Sequence, residues 1–328
     1  MTEFDAWNED AFSRFSHPFP CAVHPDVDAI AAHLDTWSAG IGDETNALVA
    51  QQQIAGLAAY LYPRARRQPL DTIFLLAVMV AWMTSYDEAG FEVPSLRGDI
   101  GRTAGNLLWA QEISEDPDAE LPAGTDPYLH AWRQAQLDLR RLASGSQVLR
   151  FNHGLTRLFA ACGAESLYIT AGVVPHYREM LILRRIASAI GTHGCSTLLE
   201  VGGGYELPEA TWSHPDLMRL GRLSDDITRY FNDGMALPRD MELSHVPMNV
   251  GVAIAREDNL GPDQALDRLV TLHRERLDEF CRLTTTLRRT AGIELRTYLT
   301  DLEYLISGHE HWYRTTNRYH GTEEFAQG

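Results

Sequence analysis

A long apolar helix restricts the folds open to this chain. Residues 70–87 read LDTIFLLAVMVAWMTSYD, and apolar side chains cover nearly the whole circumference of the helix that this segment predicts. Such a helix has to be surrounded by other helices or by lipid. The chain contains no uninterrupted apolar run of about 18 or more residues, the length that a membrane-spanning helix needs. The segment therefore predicts a helix in the middle of a bundle, without membrane insertion.

Helical patterns also account for most of the remaining sequence. Pro63 predicts a helix end, and the run Asn259-Leu-Gly-Pro-Asp predicts a break followed by a new helix. Besides the central helix, we predict helices at residues 47–62, 128–142, 148–162, 175–190, 208–233, 246–258, 261–283 and 292–312. No series of alternating strands, internal repeat or linker is visible. These patterns indicate one all-α domain over residues 1–328.

Charge and cysteine usage exclude several classes of function. The chain has 28 Lys and Arg against 45 Asp and Glu, a formal net charge of -17, whereas nucleic acids and anionic membranes bind clustered basic residues. The acidic N-terminus, MTEFDAWNED, lacks the basic and then apolar pattern of a secretion signal. The four cysteines lack CxxC spacing. We expect a cytoplasmic protein with reduced thiols and no nucleic-acid partner.

A glycine-rich stretch, LLEVGGGYE at residues 198–206, could hold a cofactor. In a SAM-dependent methyltransferase such a loop, here Glu200 to Gly204, joins a strand to a helix within a parallel sheet. Helical patterns follow it in this chain, which favours a flexible bend between helices. A methyltransferase remains the alternative enzyme, and a non-catalytic helical binding protein is the alternative outside catalysis.

The first acidic cluster, Asp87, Glu88 and Glu92, closes the central helix. Carboxylates at a helix C-terminus oppose the helix dipole, and Mg²⁺ prefers oxygen ligands of this kind. On a regular helix Glu92 lies about 140° around from Asp87. The two can share an ion only where the helix unwinds, which Gly90 permits.

A second cluster reads LSDDITRYFND at residues 223–233. Residues 225, 229 and 233 follow i, i+4, i+8 spacing and share one helix face, so they could bind one ion. The alternative is a stripe of charged side chains on the outer face of the helix.

Near the C-terminus, Arg318 and Tyr319 offer a guanidinium and a hydroxyl suited to phosphate oxygens.

Taken in order, these features resemble the bacterial class I terpene synthases (terpene cyclases) over most of the chain. The resemblance is carried by Pro18-Phe-Pro, His24-Pro25, the Trp82 helix with its acidic end, Leu183-Arg184-Arg185, residues 225–233, Asn249-Val250, and the run from Trp312 to Tyr319. It implies a single-domain helical bundle with a central apolar active-site cavity, an N-terminal segment at 1–25 and a C-terminal lid segment at 308–328. It also implies Mg²⁺-dependent ionisation of a prenyl diphosphate, carbocation cyclisation and release of diphosphate.

The resemblance assigns roles to individual residues. It implies three Mg²⁺ ions, held by Asp87, Glu88, Glu92, Asp225 and Asp233. Diphosphate would be sensed by Arg184, with Arg178 and Arg185 as alternatives, and Ser188 would occupy the helix-break position. Arg318 and Tyr319 would close over the diphosphate.

Position 229 departs from the family pattern. The family has Ser or Thr there, whereas this chain has Arg, and a guanidinium has only donors and cannot bind a cation. Our hypothesis is that Arg229 either contacts the diphosphate or is neutralised between Asp225 and Asp233, so that one metal site is weakened or replaced. A lost activity is the other interpretation.

The cavity wall and the substrate are predicted more coarsely. The expected pocket residues are Leu76, Val80, Met83, Trp82 and Trp312, because the first three lie below Asp87 on one helix face. His309 and His311 are interpreted as solvated or capping residues. The substrate is C15 farnesyl diphosphate or a C20 geranylgeranyl or bicyclic diphosphate, and a homodimer is among the expected assemblies.

Overall fold

The computed structural model describes residues 10–188, 194–243 and 246–316, and helices joined by loops make up this part of the chain, without a β-strand. The helices are α1 Val27–Ile41, α2 Asp43–Gln51, α3 Ile54–Leu61, α4 Leu70–Tyr86, α5 Val93–Leu96, α6 Ile100–Glu115, α7 Pro127–Leu142, α8 Gly145–Ala171, α9 Tyr177–Ile186, α10 Cys195–Gly203, α11 Glu209–Trp212, α12 Pro215–Leu243, α13 Val250–Asp258, α14 Pro262–Arg288 and α15 Ile293–Thr315. A π-helical turn, Asp87–Glu92, lies between α4 and α5. The all-α prediction is confirmed.

The apolar segment is the core helix that its composition predicts. Helix α4 packs against α1, α3, α7 and α10. The stretch Leu70–Leu96 is long and apolar enough to cross a membrane, but most of its apolar window is buried inside the bundle. The ring of Trp82 stacks on that of Trp132 with centroids 4.0 Å apart, which joins α4 to α7. Contacts with other helices therefore replace contacts with lipid.

The helix predicted at residues 47–62 is two helices, α2 and α3. Gln53 adopts a left-handed conformation, with φ 51°, and this breaks the helix. The indole Nε1 of Trp312 donates to the carbonyl oxygens of Gln52 at 3.0 Å and Gln53 at 3.2 Å. The break is stabilised by a residue distant in sequence, so no local glycine or proline signals it.

The glycine-rich stretch is mostly helical, which corrects the prediction of a flexible bend. Gly202 and Gly203 belong to α10, and only Gly204, with φ 63°, is the left-handed residue that ends it. The carboxylate of Glu200 is buried and accepts from Arg150 Nη2 at 2.6 Å and from the indole of Trp212. Glu200 therefore holds helices together, and the strand that a methyltransferase loop requires is not present in the described residues.

The segment predicted as one helix at residues 208–233 divides into α11 and the longer α12. Helix α12 starts at Pro215 and continues past Asp233, through Pro238, to Leu243. It packs against α9, α13, α14 and α15. The second acidic cluster therefore lies in the interior of a long helix with neighbours on several sides.

Candidate active site

The first acidic cluster coincides with the π-helical turn at the end of α4. Asp87 and Glu92 are exposed and Glu88 is partly buried, and Oε2 of Glu88 accepts from Gln52 Nε2 at 2.9 Å. A π-helix pairs residue i with residue i+5, so this turn brings Glu92 closer to the face of Asp87. A Cβ on Gly90 would lie 2.5 Å from the ring of Tyr86, so glycine permits the close packing of this turn.

Helix α8 connects the first cluster to the arginines of the site. Oδ1 of Asp87 lies 3.6 Å from Sγ of Cys162. One turn further along α8, Oε1 of Glu165 lies 3.5 Å from Nη1 of Arg184. Burial raises the pKa of Glu165, the charge of Arg184 opposes this rise, and the charge of Asp87 adds to it. Asp87 and Arg184 therefore border the same region.

Arg184 is bound to the end of the second cluster. Its Nη2 donates to Oδ1 of Asp233 at 2.6 Å, and its Nε donates to the same oxygen at 3.1 Å. Oδ2 of Asp233 accepts the backbone N–H of Val250 at 2.9 Å. Burial lowers the pKa of Arg184, but the charges of Asp233 and Glu165 raise it overall. Both carboxylate oxygens of Asp233 thus have protein partners.

Arg229 points toward the end of α9. Its Nη2 donates to the carbonyl oxygen of Ala187 at 2.8 Å, and its Nη1 donates to Oδ1 of Asn232 at 3.2 Å. Arg184 Nη2 donates to the same Asn232 oxygen at 3.0 Å. Arg184, and not Arg229, forms the ion pair with Asp233, although the charge of Asp233 also acts on Arg229.

Asp225 and Asp226 differ in their surroundings. Asp226 is buried, with Oδ1 2.6 Å from Nε of Arg185 and Oδ2 3.5 Å from Nε of Arg276. Arg185 is thus paired with Asp226 as Arg184 is with Asp233, whereas Arg178 is exposed. Asp225 is buried within electrostatic range of Cys195 and Tyr298.

Ser188 is buried next to α12. Its Oγ lies 3.4 Å from Oγ1 of Thr228, which also bonds to the carbonyl oxygen of Ser224 at 2.8 Å. The hydroxyls of Ser224 and Thr228 therefore both bond to helix backbone. Arg318 and Tyr319 lie outside the described residues.

The two clusters differ in their fit to magnesium. Asp87 and Glu92 are accessible carboxylates, and a Mg²⁺ site commonly combines one or two carboxylates with substrate phosphates. Asp225 and Asp233, by contrast, are separated by about 12 Å of helix, Arg229 lies between them, and Asp233 is occupied by Arg184. Across residues 10–188, 194–243 and 246–316, no three His, Cys, Asp or Glu side chains converge as a metal site. The first cluster fits magnesium and the second does not.

The expected pocket residues fall into two groups. Leu76 and Val80 are buried and Met83 is partly buried on the face of α4 below Asp87, and Leu76 packs against Gly202 of α10. Trp82, in contrast, is stacked on α7 and donates its Nε1 to the carbonyl oxygen of Tyr128 at 2.8 Å. Trp312 is bonded to the α2–α3 break. The structure therefore places both tryptophans in packing contacts between helices.

His309 is neither solvated nor a cap, which corrects the interpretation from sequence. Its Nδ1 is buried without a hydrogen-bond partner among the described residues, and burial together with the charge of Arg229 lowers its pKa to about 3. His311 is partly buried with its ring centroid 4.8 Å from that of Tyr60. His309 and Arg229 each keep some accessible surface, and burial lowers the pKa of both side chains.

Sequence reasoning missed Glu165 and His309 as members of this site. Glu165 follows an apolar stretch of α8, and an acid at such a position is a usable signal, because acids are seldom buried without a partner. The sequence shows the spacing of His309 from His311, but only the fold shows that His309 lies close to Arg229.

Solved structures share this architecture. Wild-type cucumene synthase superposes with a TM-score of 0.78 at 24% identity, covering 92% of this chain and 100% of its own. The structure of 2-methylisoborneol synthase from Streptomyces coelicolor A3(2), in complex with Mg²⁺ and 2-fluoroneryl diphosphate, has a TM-score of 0.80 at 22% identity and covers 94% of this chain and 96% of its own. The helical bundle is therefore the fold of class I terpene synthases.

Sequence relatives agree with the fold. A (+)-T-muurolol synthase of Roseiflexus castenholzii is 26% identical over 97% of this chain and 96% of its own length. A 2-methylisoborneol synthase of Saccharopolyspora erythraea is 26% identical over 92% of this chain and 88% of its own length. The model described as terpene synthase family 2, C-terminal metal binding, matches residues 79–279. The chain belongs to this family and is a terpene synthase, a lyase of the class I type.

Proposed function

We propose that this enzyme uses Mg²⁺ to ionise farnesyl diphosphate and cyclises the resulting C15 carbocation to a sesquiterpene. The choice of chain length is supported by the (+)-T-muurolol synthase and a 4-epi-cubebol synthase of Streptosporangium roseum, both named as cyclising (2E,6E)-farnesyl diphosphate. Magnesium is supported by the name of the matching family and by the Mg²⁺ complex of the S. coelicolor enzyme. We further propose that residues 1–328 form one catalytic domain.

One observation carries the proposal. The accessible carboxylate of Asp87 lies at the end of an apolar helix and is connected, through Cys162 and Glu165 of α8, to the guanidinium of Arg184. A carboxylate for a metal and a cation for phosphate oxygens thus border one region, above the apolar wall of α4. Ionisation of an isoprenoid diphosphate needs this combination, because charge develops on the leaving group while the cation must stay dry.

Each residue contributes separately in the proposed reaction. Asp87 and Glu92 would hold magnesium, which when bound offsets the negative charge that develops on the leaving diphosphate. Arg184 would bind diphosphate oxygens with its fixed pattern of donors. Leu76, Val80 and Met83 would exclude water and fold the prenyl chain.

The test is incubation of purified protein with C10, C15 and C20 prenyl diphosphates and Mg²⁺, followed by gas chromatography of the extract. We expect a cyclic product from the C15 substrate, and a loss of about 100-fold or more in Asp87→Asn, as for a group that acts on the leaving-group charge. Asp71→Asn is the matched control, because Asp71 is exposed at the other end of α4. Full activity in Asp87→Asn, or products from the C20 substrate alone, would contradict the proposal.

A further inference from the structure

The second acidic cluster carries a positive charge where a metal ligand is expected. Arg229 occupies the middle of the i, i+4, i+8 series and has no atom that can bind a cation. Asp233 has both oxygens engaged by Arg184 and by the N–H of Val250. Magnesium binding here would require breaking a buried ion pair and placing the ion beside a guanidinium.

The same residues form a site suited to an anion. Arg184 and Arg229 both donate to Oδ1 of Asn232, so two cations are held close together in a desolvated region. Burial lowers the pKa of Arg229, and the charge of Arg184 lowers it further. Asp233 and Glu165 are the carboxylates that face the pair, and burial raises the pKa of Glu165. An added anion would act with Asp233 and Glu165 against the repulsion that Arg184 exerts on Arg229.

Donor groups remain for that anion. A guanidinium has five N–H groups, and Arg229 makes two hydrogen bonds to the described part of the chain, one to Ala187 and one to Asn232. Arg229 as a whole is partly exposed, and the acceptor that it shares with Arg184 places the two guanidiniums side by side. Arginine binds phosphate oxygens through paired, charge-assisted hydrogen bonds.

We propose that the Arg184 and Arg229 guanidiniums bind the diphosphate in place of one magnesium ion, so that the enzyme needs fewer metal ions per diphosphate than a variant with a hydroxyl at position 229. The inference rests on the proposed function, because it concerns how the same diphosphate is held. The arginines supply fixed positive charge, and the first acidic cluster would bind the magnesium that is still required.

The experiment measures binding of inorganic pyrophosphate by calorimetry, first in EDTA and then with Mg²⁺, without any turnover. We expect the wild type to bind pyrophosphate without metal, and Arg229→Met to weaken this binding at least 10-fold. Arg229→Lys keeps a cation and should retain part of the affinity. Arg256→Met is the matched control, since Arg256 is an exposed arginine on α13, and it should bind as the wild type does.

A second measurement counts metal ions. Equilibrium dialysis with saturating pyrophosphate should show about one more Mg²⁺ bound per protein in Arg229→Ser than in the wild type. Circular dichroism confirms that each variant is folded. Equal metal-free affinity in wild type and Arg229→Met, or an unchanged metal count in Arg229→Ser, would overturn the inference and leave the proposed function intact. Absence of pyrophosphate binding by every protein, even with Mg²⁺, would contradict both.

Discussion

Arg184 and Arg229 share one hydrogen-bond acceptor, Oδ1 of Asn232, at distances of 3.0 and 3.2 Å from their Nη2 and Nη1 atoms. Asn232 thus holds two like charges together without neutralising them. Asn232→Asp would place a carboxylate between them, and we expect a higher free energy of unfolding, because hydrogen bonds between charged partners are stronger.

The same variant should bind pyrophosphate at least 10-fold more weakly, because the new carboxylate competes for the guanidiniums. Urea denaturation gives the stability and calorimetry gives the affinity. An Asn232→Asp protein that binds pyrophosphate as tightly as the wild type would show that the arginines are not the anion site.

Gly90→Ala should disturb the π-helical turn. The added Cβ would lie 2.5 Å from the ring of Tyr86, and overpacking of this kind costs about 1–3 kcal/mol. We also expect a several-fold higher Mg²⁺ concentration for half-maximal activity, because Glu92 moves relative to Asp87. Gly40→Ala in α1 is the control: no atom lies within 4 Å of its Cβ position, so stability should be unchanged or slightly higher. If Gly90→Ala and Gly40→Ala have the same stability and the same Mg²⁺ requirement, this account of the π-helical turn is refuted.

Glu200→Leu should destabilise the fold by about 3–5 kcal/mol, because it leaves the buried guanidinium of Arg150 without its carboxylate. The double variant Arg150→Met/Glu200→Leu should recover much of the loss, since it removes both charges. Urea denaturation followed by circular dichroism measures both. If the single variant is as stable as the wild type, Glu200 does not have the structural role that its hydrogen bonds indicate.

His309 should make the protein sensitive to acid. Its pKa in the fold is about 3, below the ordinary value of about 6.5, so the unfolded chain binds more protons between these limits. The contribution of neutral His309 to the free energy of unfolding is fully present above pH ~6.5 and is lost as the pH falls toward 3. Between pH 7 and pH 5 this loss is about 2 kcal/mol.

Replacing His309 by Gln tests this dependence, because Gln stays neutral at every pH. Thermal unfolding at pH 7 and pH 5 should show a smaller decrease in Tm for His309→Gln than for the wild type. Other titrating groups, such as Asp301 with its pKa raised to about 6 by burial, are common to both proteins. Equal decreases in Tm for the wild type and His309→Gln would mean that His309 is accessible to protons in the native state.

The sequence predicted what depends on local patterns. The apolar circumference of α4, the acidic residues at its end and the order of the later motifs were enough to predict the helical bundle and the terpene synthase class. Gly90 indicated where the helix would have to unwind, and the structure has its π-helical turn around that residue.

Contacts between distant residues could not be predicted in this way. The direction of Arg229 depends on Ala187, and the partner of Asp233 depends on where α9 passes α12. The break at Gln53 depends on an indole more than 250 residues away. Spacing along one helix says which side chains share a face, but the neighbouring helices decide what that face meets.

Gln52 links two regions that are far apart in sequence. Its side chain donates to Glu88, while its carbonyl oxygen accepts from Trp312 Nε1 and from Oγ1 of Thr316 at 3.0 Å. Thr316 is the last described residue before the segment that carries Arg318 and Tyr319. In a chimaera that takes its C-terminal residues from another terpene synthase, positions 52 and 88 should therefore be exchanged together with positions 312 and 316, because these four side chains and backbone groups are bonded to one another through Gln52.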